Sequence, residues 1–296
     1  MKYRKFSVLG GDQRNRFLAR LLAADGNEVN VFGMDESDDL PGIHYRDVLE
    51  EAILDCDVLI GPIPFSHAGN VLNCPMCKNS VDIPAMVKTL CKEKKPDKEI
   101  ILFGGAFKDA EKALFTQNEI RGIDLLDAEE LAVLNAIPTA EGAIQIAMEH
   151  TQETIHGSNV LVLGFGRIGK VLANRLQALF ANVTVSARNP QALSWIDASG
   201  YLATETENIK ECVQTFDLIF NTIPALVIDR EVLVKIRRDC LVVDLASKPG
   251  GVDYAYAERI GANTIHALSL PGKVAPMTSA KYVKRVLYDF LERMGK

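Results

Sequence analysis

Asn159-Val-Leu-Val-Leu-Gly164-Phe-Gly166-Arg167-Ile168-Gly169 is the stretch on which the fold turns. An apolar strand runs into G-x-G-x-x-G, and Val171, Leu172, Leu176 and Leu179 follow at helical spacing. In a strand–turn–helix of this kind Gly164 permits the tight turn. Gly166 lets a pyrophosphate approach the backbone, and Gly169 lets the helix pack on the strand. The free amides of the helix N-terminus then face phosphate oxygens. A glycine-rich turn that binds nothing has the same three residues. The order strand, glycines, helix, second strand favours a dinucleotide-binding Rossmann unit.

The second strand, Val183-Thr-Val-Ser186, ends where an NAD site would place an acidic residue on the ribose hydroxyls. Ser186-Ala187-Arg188-Asn189 stands there instead. No carboxylate repels a 2′-phosphate, and the Arg188 guanidinium can fork onto one, so NADP is expected ahead of NAD. The competing reading is a solvated loop arginine. Asn221-Thr222-Ile223-Pro224 and the loop opened by Asp244-Leu245-Ala246 leave the next strands, where such folds meet the nicotinamide and its ribose.

Outward from this motif the alternation continues. Strands are predicted at 159–163, 183–186, 218–220, 241–244 and 263–266 in the second half, and at 6–9, 29–32, 57–60, 100–103 and 123–126 in the first. Helical patterns lie between them. The chain is expected to be α/β, with two doubly wound parallel sheets and a cleft between the domains. The N-terminal domain is expected to be flavodoxin-like and the C-terminal one a Rossmann domain. The expected divisions are a substrate-side domain over 1–127, a linker over 128–152, the NADP domain over 153–277 and a terminal helix over 278–296. Pro138 argues for a kinked or broken linker helix.

Bulk properties exclude several classes. A net charge of -6 without a basic run argues against nucleic acid. The N-terminal apolar run is too short for a signal peptide, and no later run is expected to span a bilayer. Six cysteines read as reduced thiols of a cytoplasmic protein. Cys74-Pro-Met-Cys77 has redox or metal spacing, but His67 and Cys91 do not complete a metal set, and no metal site is expected.

In the first half, Leu9-Gly10-Gly11-Asp12-Gln13-Arg14 lacks the third glycine of a dinucleotide loop. Arg14 at a helix start makes an anion pocket for a substrate carboxylate, against the alternative of a surface turn. The 61–82 segment, with Ser66 and His67, reads as a long binding loop. At a turn over 138–142, Thr139 can donate a hydrogen bond at a helix start. Glu141 is either a general base or a first-turn carboxylate favoured by the helix dipole. Arg14, Ser66, Thr139 and Glu141 are the candidate catalytic set.

Taken together, Ile137-Pro-Thr-Ala-Glu-Gly-Ala, Thr154-Ile-His-Gly-Ser, the glycine motif, Asn221-Thr-Ile-Pro, Asp244-Leu-Ala-Ser-Lys-Pro-Gly-Gly and Leu270-Pro-Gly-Lys-Val-Ala-Pro276 resemble the family of dipicolinate synthase A-type subunits. The likeness covers most of the chain and is densest from about residue 135 onward. It implies oxidation of dihydrodipicolinate, formed from 4-hydroxy-tetrahydrodipicolinate, in the mother cell of a sporulating bacterium. The implied partners are a small dicarboxylate substrate and the flavodoxin-like B-type subunit of dipicolinate synthase, and a homo-oligomer is expected. The rivals are a shikimate- or 2-hydroxyacid-type dehydrogenase and a non-catalytic NADP-sensing subunit.

Overall fold

A sheet covered on both faces needs apolar residues at consecutive strand positions, and both halves of the chain supply them. The computed structural model describes residues 4–35, 40–67, 69–93 and 99–295. Contacts divide the chain into two units, 1–132 with 275–296, and 133–274.

In the first unit β1 (Lys5–Leu9), β2 (Glu28–Phe32), β3 (Ile43–Arg46), β4 (Val58–Ile60), β5 (Ile100–Gly104) and β6 (Ile120–Asp124) form one parallel sheet, ordered β3-β2-β1-β4-β5-β6. Side chains alternate between its faces. Phe6, Val8, Ile101 and Phe103 pack with Leu18 and Leu22 of the Gln13–Ala24 helix. Leu9, Leu59, Ile100 and Leu102 pack with Met86, Val87 and Phe115 on the other face. The five strands expected from sequence lie in the flavodoxin-like order two-one-three-four-five. β3, Ile-His-Tyr-Arg, adds an edge and completes the order three-two-one-four-five-six. An edge strand with polar His44 and Arg46 has no apolar run to announce it. The last strand sits earlier than expected, because Asp124 accepts from Leu126 N (2.9 Å) and turns Leu125–Asp127 into a 3-10 helix.

The Pro276–Arg293 helix belongs to this first unit. Val283, Val286, Leu287 and Leu291, spaced as one helical face, are buried against the Gln13–Ala24 helix and the sheet. Its polar edge is tied down at Asp25, which accepts from Lys284 Nζ (2.8 Å) and Tyr288 OH (2.8 Å).

The second unit repeats the plan with β7 (Asn159–Leu163), β8 (Asn182–Ala187), β9 (Leu202–Glu205), β10 (Leu218–Asn221), β11 (Leu241–Asp244) and β12 (Thr264–His266), ordered β12-β11-β10-β7-β8-β9. β9 is again a polar edge strand that hydrophobic patterning does not mark. Val160, Val162 and Phe220 pack with Leu172 and Leu176 of the Arg167–Ala178 helix. Leu161, Leu163 and Ile219 face Ile209, Val232 and Ala257.

The segment read as a turn and broken linker is one continuous helix, Glu129–His150, with Pro138 inside it. Thr139 and Glu141 therefore lie mid-helix rather than at a helix start. Five small or apolar residues, Ala136, Ala140, Ala143, Ile144 and Ala147, bury one face and hold the helix despite the amide missing at Pro138. A Cβ at Gly142 would lie 3.0 Å from Val274 Cγ1 and 3.3 Å from Leu270 Cβ, so the Pro-Thr-x-Glu-Gly run packs closely on the Leu270–Val274 helix. This helix also corrects the expectation that no apolar run could cross a bilayer: it is long and apolar enough by length and composition. Its buried alanines account for that composition as packing within a protein core.

Leu287→Ala should lower the urea midpoint by an amount equivalent to about 2–5 kcal/mol, because the side chain is fully buried. Leu226→Ala, at a side chain left 61% exposed, should shift stability by no more than ~0.5 kcal/mol.

Candidate functional site

The glycines of the 164–169 loop have separable jobs. Gly164 leaves β7 at φ +97° and donates its amide to Ser186 O (3.1 Å), which joins the loop to β8. A Cβ on Gly169 would stand 2.0 Å from Gly164 O, so only a bare backbone lets the helix start this close to the strand end. A Cβ on Gly166 would meet nothing within 4 Å. It is the N-cap of the Arg167–Ala178 helix and offers no capping side chain, and the first turn carries no acidic residue. The positive end of the helix is open to an anion.

That opening forms a cleft of about 310 Å³ bounded by Gly164, Phe165, Gly166, Arg188, Asn189, Thr206 and the Thr222-Ile223-Pro224 loop. The structure thus brings together residues from three strand ends that the sequence pattern marks separately. Arg188 stands exposed at the rim. Asn189 Oδ1 is engaged as the N-cap of the Pro190–Ala198 helix, accepting from Ala192 N (2.7 Å). Thr206, Phe165, Ala187 and Ala192 were missed by sequence reasoning. Thr206 follows β9, so missing that strand hid it. Arg167 is exposed and Ile168 half-buried in the first turn.

Four expected cofactor contacts have other work. Ser186 is fully buried, with its hydroxyl 3.1 Å from Thr206 Oγ1, so it supports the cleft wall from behind. Asn221, Leu245 and Ala246 belong to a buried knot around Asp244. The Asp244 carboxylate has no exposed surface and accepts from Asn221 Nδ2 (2.8 Å), Ala246 N (3.0 Å), Gly251 N (2.7 Å) and Tyr254 OH (2.7 Å). Leu245 N donates to Asn221 O (2.8 Å), and His266 Nε2 donates to Ala246 O (2.8 Å). The Gly250-Gly251 backbone makes its close approach to this internal carboxylate and to Asn221. A Cβ on Gly250 would lie 2.6 Å from Asp244 Oδ2, and one on Gly251 2.1 Å from Asn221 Nδ2. Burial, and then the hydrogen bond to Asp244, hold the Tyr254 phenol well above the ordinary tyrosine range.

A larger hollow, about 640 Å³, lies by His156, Asp217 and Arg237. Arg237 is paired there with Asp217 (2.9 Å) and Asp239 (2.5 Å), and no glycine-opened helix terminus is among its lining residues. Of the two hollows, the smaller is the one lined by the open start of a glycine-capped helix.

In the first unit the anion at the start of the Gln13–Ala24 helix is the chain's own. Asp12 caps it, accepting from Arg14 N (2.9 Å), and also binds the guanidinium through Nε (2.9 Å) and Nη2 (2.8 Å). Burial pushes the Asp12 carboxyl up, but the hydrogen bonds and charge of Arg14 outweigh it and hold the group below its usual value. Arg14 Nη2 also donates to Ile63 O (2.6 Å), and only 14% of the side chain is exposed. Ser66 is buried, and among the described residues its hydroxyl has no partner. The 61–82 segment carries bridges Ser66–Leu72 and Val71–Asp82 and a disulfide, Cys74–Cys77, so two of the six cysteines are not the free thiols expected. Thr139 Oγ1 donates to Asn135 O (2.7 Å), and exposed Glu141 pairs with Arg175 (3.5 Å).

Comparison with known proteins agrees with this division. Residues 5–126 match the N-terminal domain of the dipicolinate synthase A-type subunit, and 137–247 match the NAD-binding domain of D-isomer specific 2-hydroxyacid dehydrogenases. The A-type subunit of dipicolinate synthase from Bacillus subtilis (strain 168) is 33% identical over 97% of this chain and 95% of its own length. The chain belongs to the family of dipicolinate synthase A-type subunits. A crystal structure of a family member from Bacillus halodurans superposes with a TM-score of 0.89, at 30% identity, over 97% of each chain. A more distant relative is the shikimate dehydrogenase (NADP(+)) of Pyrococcus abyssi, 29% identical over 42% of this chain and 51% of its own. The cofactor of this family member is a nicotinamide dinucleotide, and its class is oxidoreductase.

Gly166→Val should fold normally yet lose dinucleotide binding, since its side chain would fill open space where phosphate enters. Gly169→Ala should instead lower thermal stability, because its Cβ strikes Gly164 O. Calorimetry with NADP and NAD, beside thermal melts, separates the two effects.

Burial, and then a hydrogen bond to Asp25, also raise the Tyr288 phenol. A raised pKa means the protonated form is favoured in the folded chain, so this stability is present below pH ~10 and lost as pH climbs beyond it. Of seven tyrosines, Tyr254 and Tyr288 should therefore ionise at the highest pH, with Tyr201, which burial also raises, above the ordinary range but less so, as read by phenolate absorbance. Tyr254→Phe should remove one of them.

Proposed function

We propose that this chain oxidises dihydrodipicolinate, formed from 4-hydroxy-tetrahydrodipicolinate, to dipicolinate with NADP, in the cytoplasm of a sporulating mother cell. Family membership supports the substrate. The cofactor choice rests on Arg188, which stands at the end of β8 and lines the cleft, and no Asp or Glu is among the cleft's described lining residues. The related shikimate dehydrogenase, named for NADP(+), is consistent with that choice.

Bound in the cleft, an oxidised nicotinamide supplies the hydride acceptor. The residues of the chain bind and orient. The amides of the Gly166 helix start would hold the pyrophosphate, Arg188 would fork onto a 2′-phosphate, and the Thr222-Ile223-Pro224 loop bounds the cleft beside Gly164. The ring loses a hydride and a proton, and aromatisation drives the step, so positioning is the main demand on the protein. In the first unit Arg14 is the proposed anchor for a ring carboxylate. Its Nε and Nη2 are fixed by Asp12 and Ile63 O, which orients the guanidinium and leaves Nη1 outside those bonds. The unpartnered Ser66 hydroxyl is a second candidate, since a buried donor is completed by a ligand or a water. Thr139 and Glu141, engaged with Asn135 O and Arg175, support the helix they stand on more than they support a proton-transfer role. A family of A-type subunits implies a second kind of chain, so the B-type subunit of dipicolinate synthase is the proposed partner. Assembly into a homo-oligomer is part of the same proposal.

The test is an assay of the purified chain, with and without its B-type partner, on the aldol product of the lysine branch with NADP or NAD. Dipicolinate absorbance and NADPH should rise one to one. NADPH without the aromatic product would point to a hydroxyacid- or shikimate-type dehydrogenase. Neither product, even with the B-type partner present, would leave a dinucleotide-sensing role. Arg188→Ala should weaken NADP binding by about 1.5–3 kcal/mol and NAD binding far less. Equal loss for both would remove Arg188 from the 2′-phosphate.

A further inference from the structure

We propose that Cys74 and Cys77 form a reversible dithiol–disulfide site whose state is transmitted to the Gly10–Gly11 turn. The pair closes the loop Cys74-Pro-Met-Cys77, with its Cα atoms 5.4 Å apart. Both residues are partly exposed, and Cys77 lines a hollow of about 630 Å³ together with Met34, Met76 and Asp82. A small thiol reagent can reach Cys77 from that side. Among the described residues no third His, Cys, Asp or Glu joins the pair in a metal-holding group. Thiol chemistry is what remains.

The inner side of the pair is bare backbone. A Cβ at Gly33, which has φ +72°, would stand 2.2 Å from Cys74 Sγ and 2.4 Å from Cys77 Sγ. A Cβ at Gly10 would stand 2.9 Å from Asn73 O and 3.0 Å from Cys74 Cβ. The contact is also hydrogen-bonded: Gly11 N donates to Asn73 O (2.9 Å), and Gly10 N donates to Phe32 O (2.9 Å). The loop after β1, which leads directly to Asp12 and Arg14, is thus fastened to the residue preceding Cys74.

Reduction requires the two sulfurs to separate from bonding to contact distance, by more than about 1 Å. Gly33 blocks one direction. Cys77 faces the hollow, and Cys74 lies against the Gly10–Asn73 contact, so separation of the sulfurs bears on that contact. Cys74 Sγ lies 3.6 Å from Gly33 O. A disulfide sulfur has no hydrogen to give that carbonyl, whereas a thiol does. The reduced state therefore has its own partner ready.

The exchange balances with an external dithiol. Its thiolate attacks Cys77 Sγ, the Cys74–Cys77 bond breaks, and Cys74 leaves as a thiolate and takes a proton. The second thiol of the reagent then displaces Cys77 from the mixed disulfide. Two electrons and two protons pass to the protein, and the reagent departs as a disulfide. Oxidation is the reverse, with a disulfide or diamide as electron acceptor.

The experiment uses the full chain and does not depend on the proposed activity. After diamide treatment, alkylation in denaturant should label four of the six cysteines, and after dithiothreitol all six, as counted by intact mass. Hydrogen exchange on the native protein should show the Gly11 amide exchanging several-fold faster in the reduced form, while protection in the second unit stays unchanged. The Cys74→Ser/Cys77→Ser variant should give one exchange pattern under both treatments, and its second-unit protection verifies that it is folded. Six labelled cysteines after diamide, or identical exchange around Gly11 in the two forms, would overturn the proposal.

Discussion

A carboxylate without exposed surface, Asp244, organises the strand-end face of the second unit. Taking a charge out of water is costly, and it persists only when every lone pair finds a donor. Here the donors are the Asn221 side chain, two backbone amides and the Tyr254 phenol. Satisfying them fixes the ends of β10 and β11 and the 247–251 loop, and stacks Tyr254 on His266 at 5.2 Å between ring centroids. Asn221 Oδ1 in turn accepts from Ile223 N (3.0 Å), and Thr222 Oγ1 donates to Leu163 O (2.8 Å). The cleft wall beside Gly164 is thus set by hydrogen bonds made within the protein.

The two units share a strand order but differ at one decisive point, the start of the first helix after the first strand. In the second unit the N-cap is Gly166, and the helix terminus is open. In the first unit it is Asp12, whose carboxylate caps the helix start and is paired with Arg14. Duplicated topology thus carries opposite chemistry at its two first helix starts.

Ten strands, the glycine loop and Arg188 were legible in the sequence because each depends on local pattern: apolar runs, glycine spacing, a charge at a strand end. β3 and β9 were not, since edge strands carry polar residues and are defined by their neighbours. Thr206 was lost with β9. Residues 138–142 mislead because proline's local preference points to a break, and the apolar face that overrides it is revealed only by the folded core. Ser186, Asn221, Leu245 and Ala246 stand at the positions expected. Whether a strand-end side chain faces a ligand or an internal partner depends on residues twenty or more positions away, such as Thr206 for Ser186 and Asp244 for Asn221.

The first unit is built from two separated pieces of chain, 1–132 and 275–296. During synthesis the sheet that carries Phe6, Val8 and Phe103 emerges early. The helix that covers these residues with Val283, Leu287 and Leu291 emerges only after the whole second unit. The second unit is contiguous and can close while the chain still grows. The earlier-made sheet must wait, with one apolar face uncovered, until the 276–293 helix leaves the ribosome. The first unit is therefore completed after the second, and it is the one for which a chaperone that shields exposed apolar surface has the more to do.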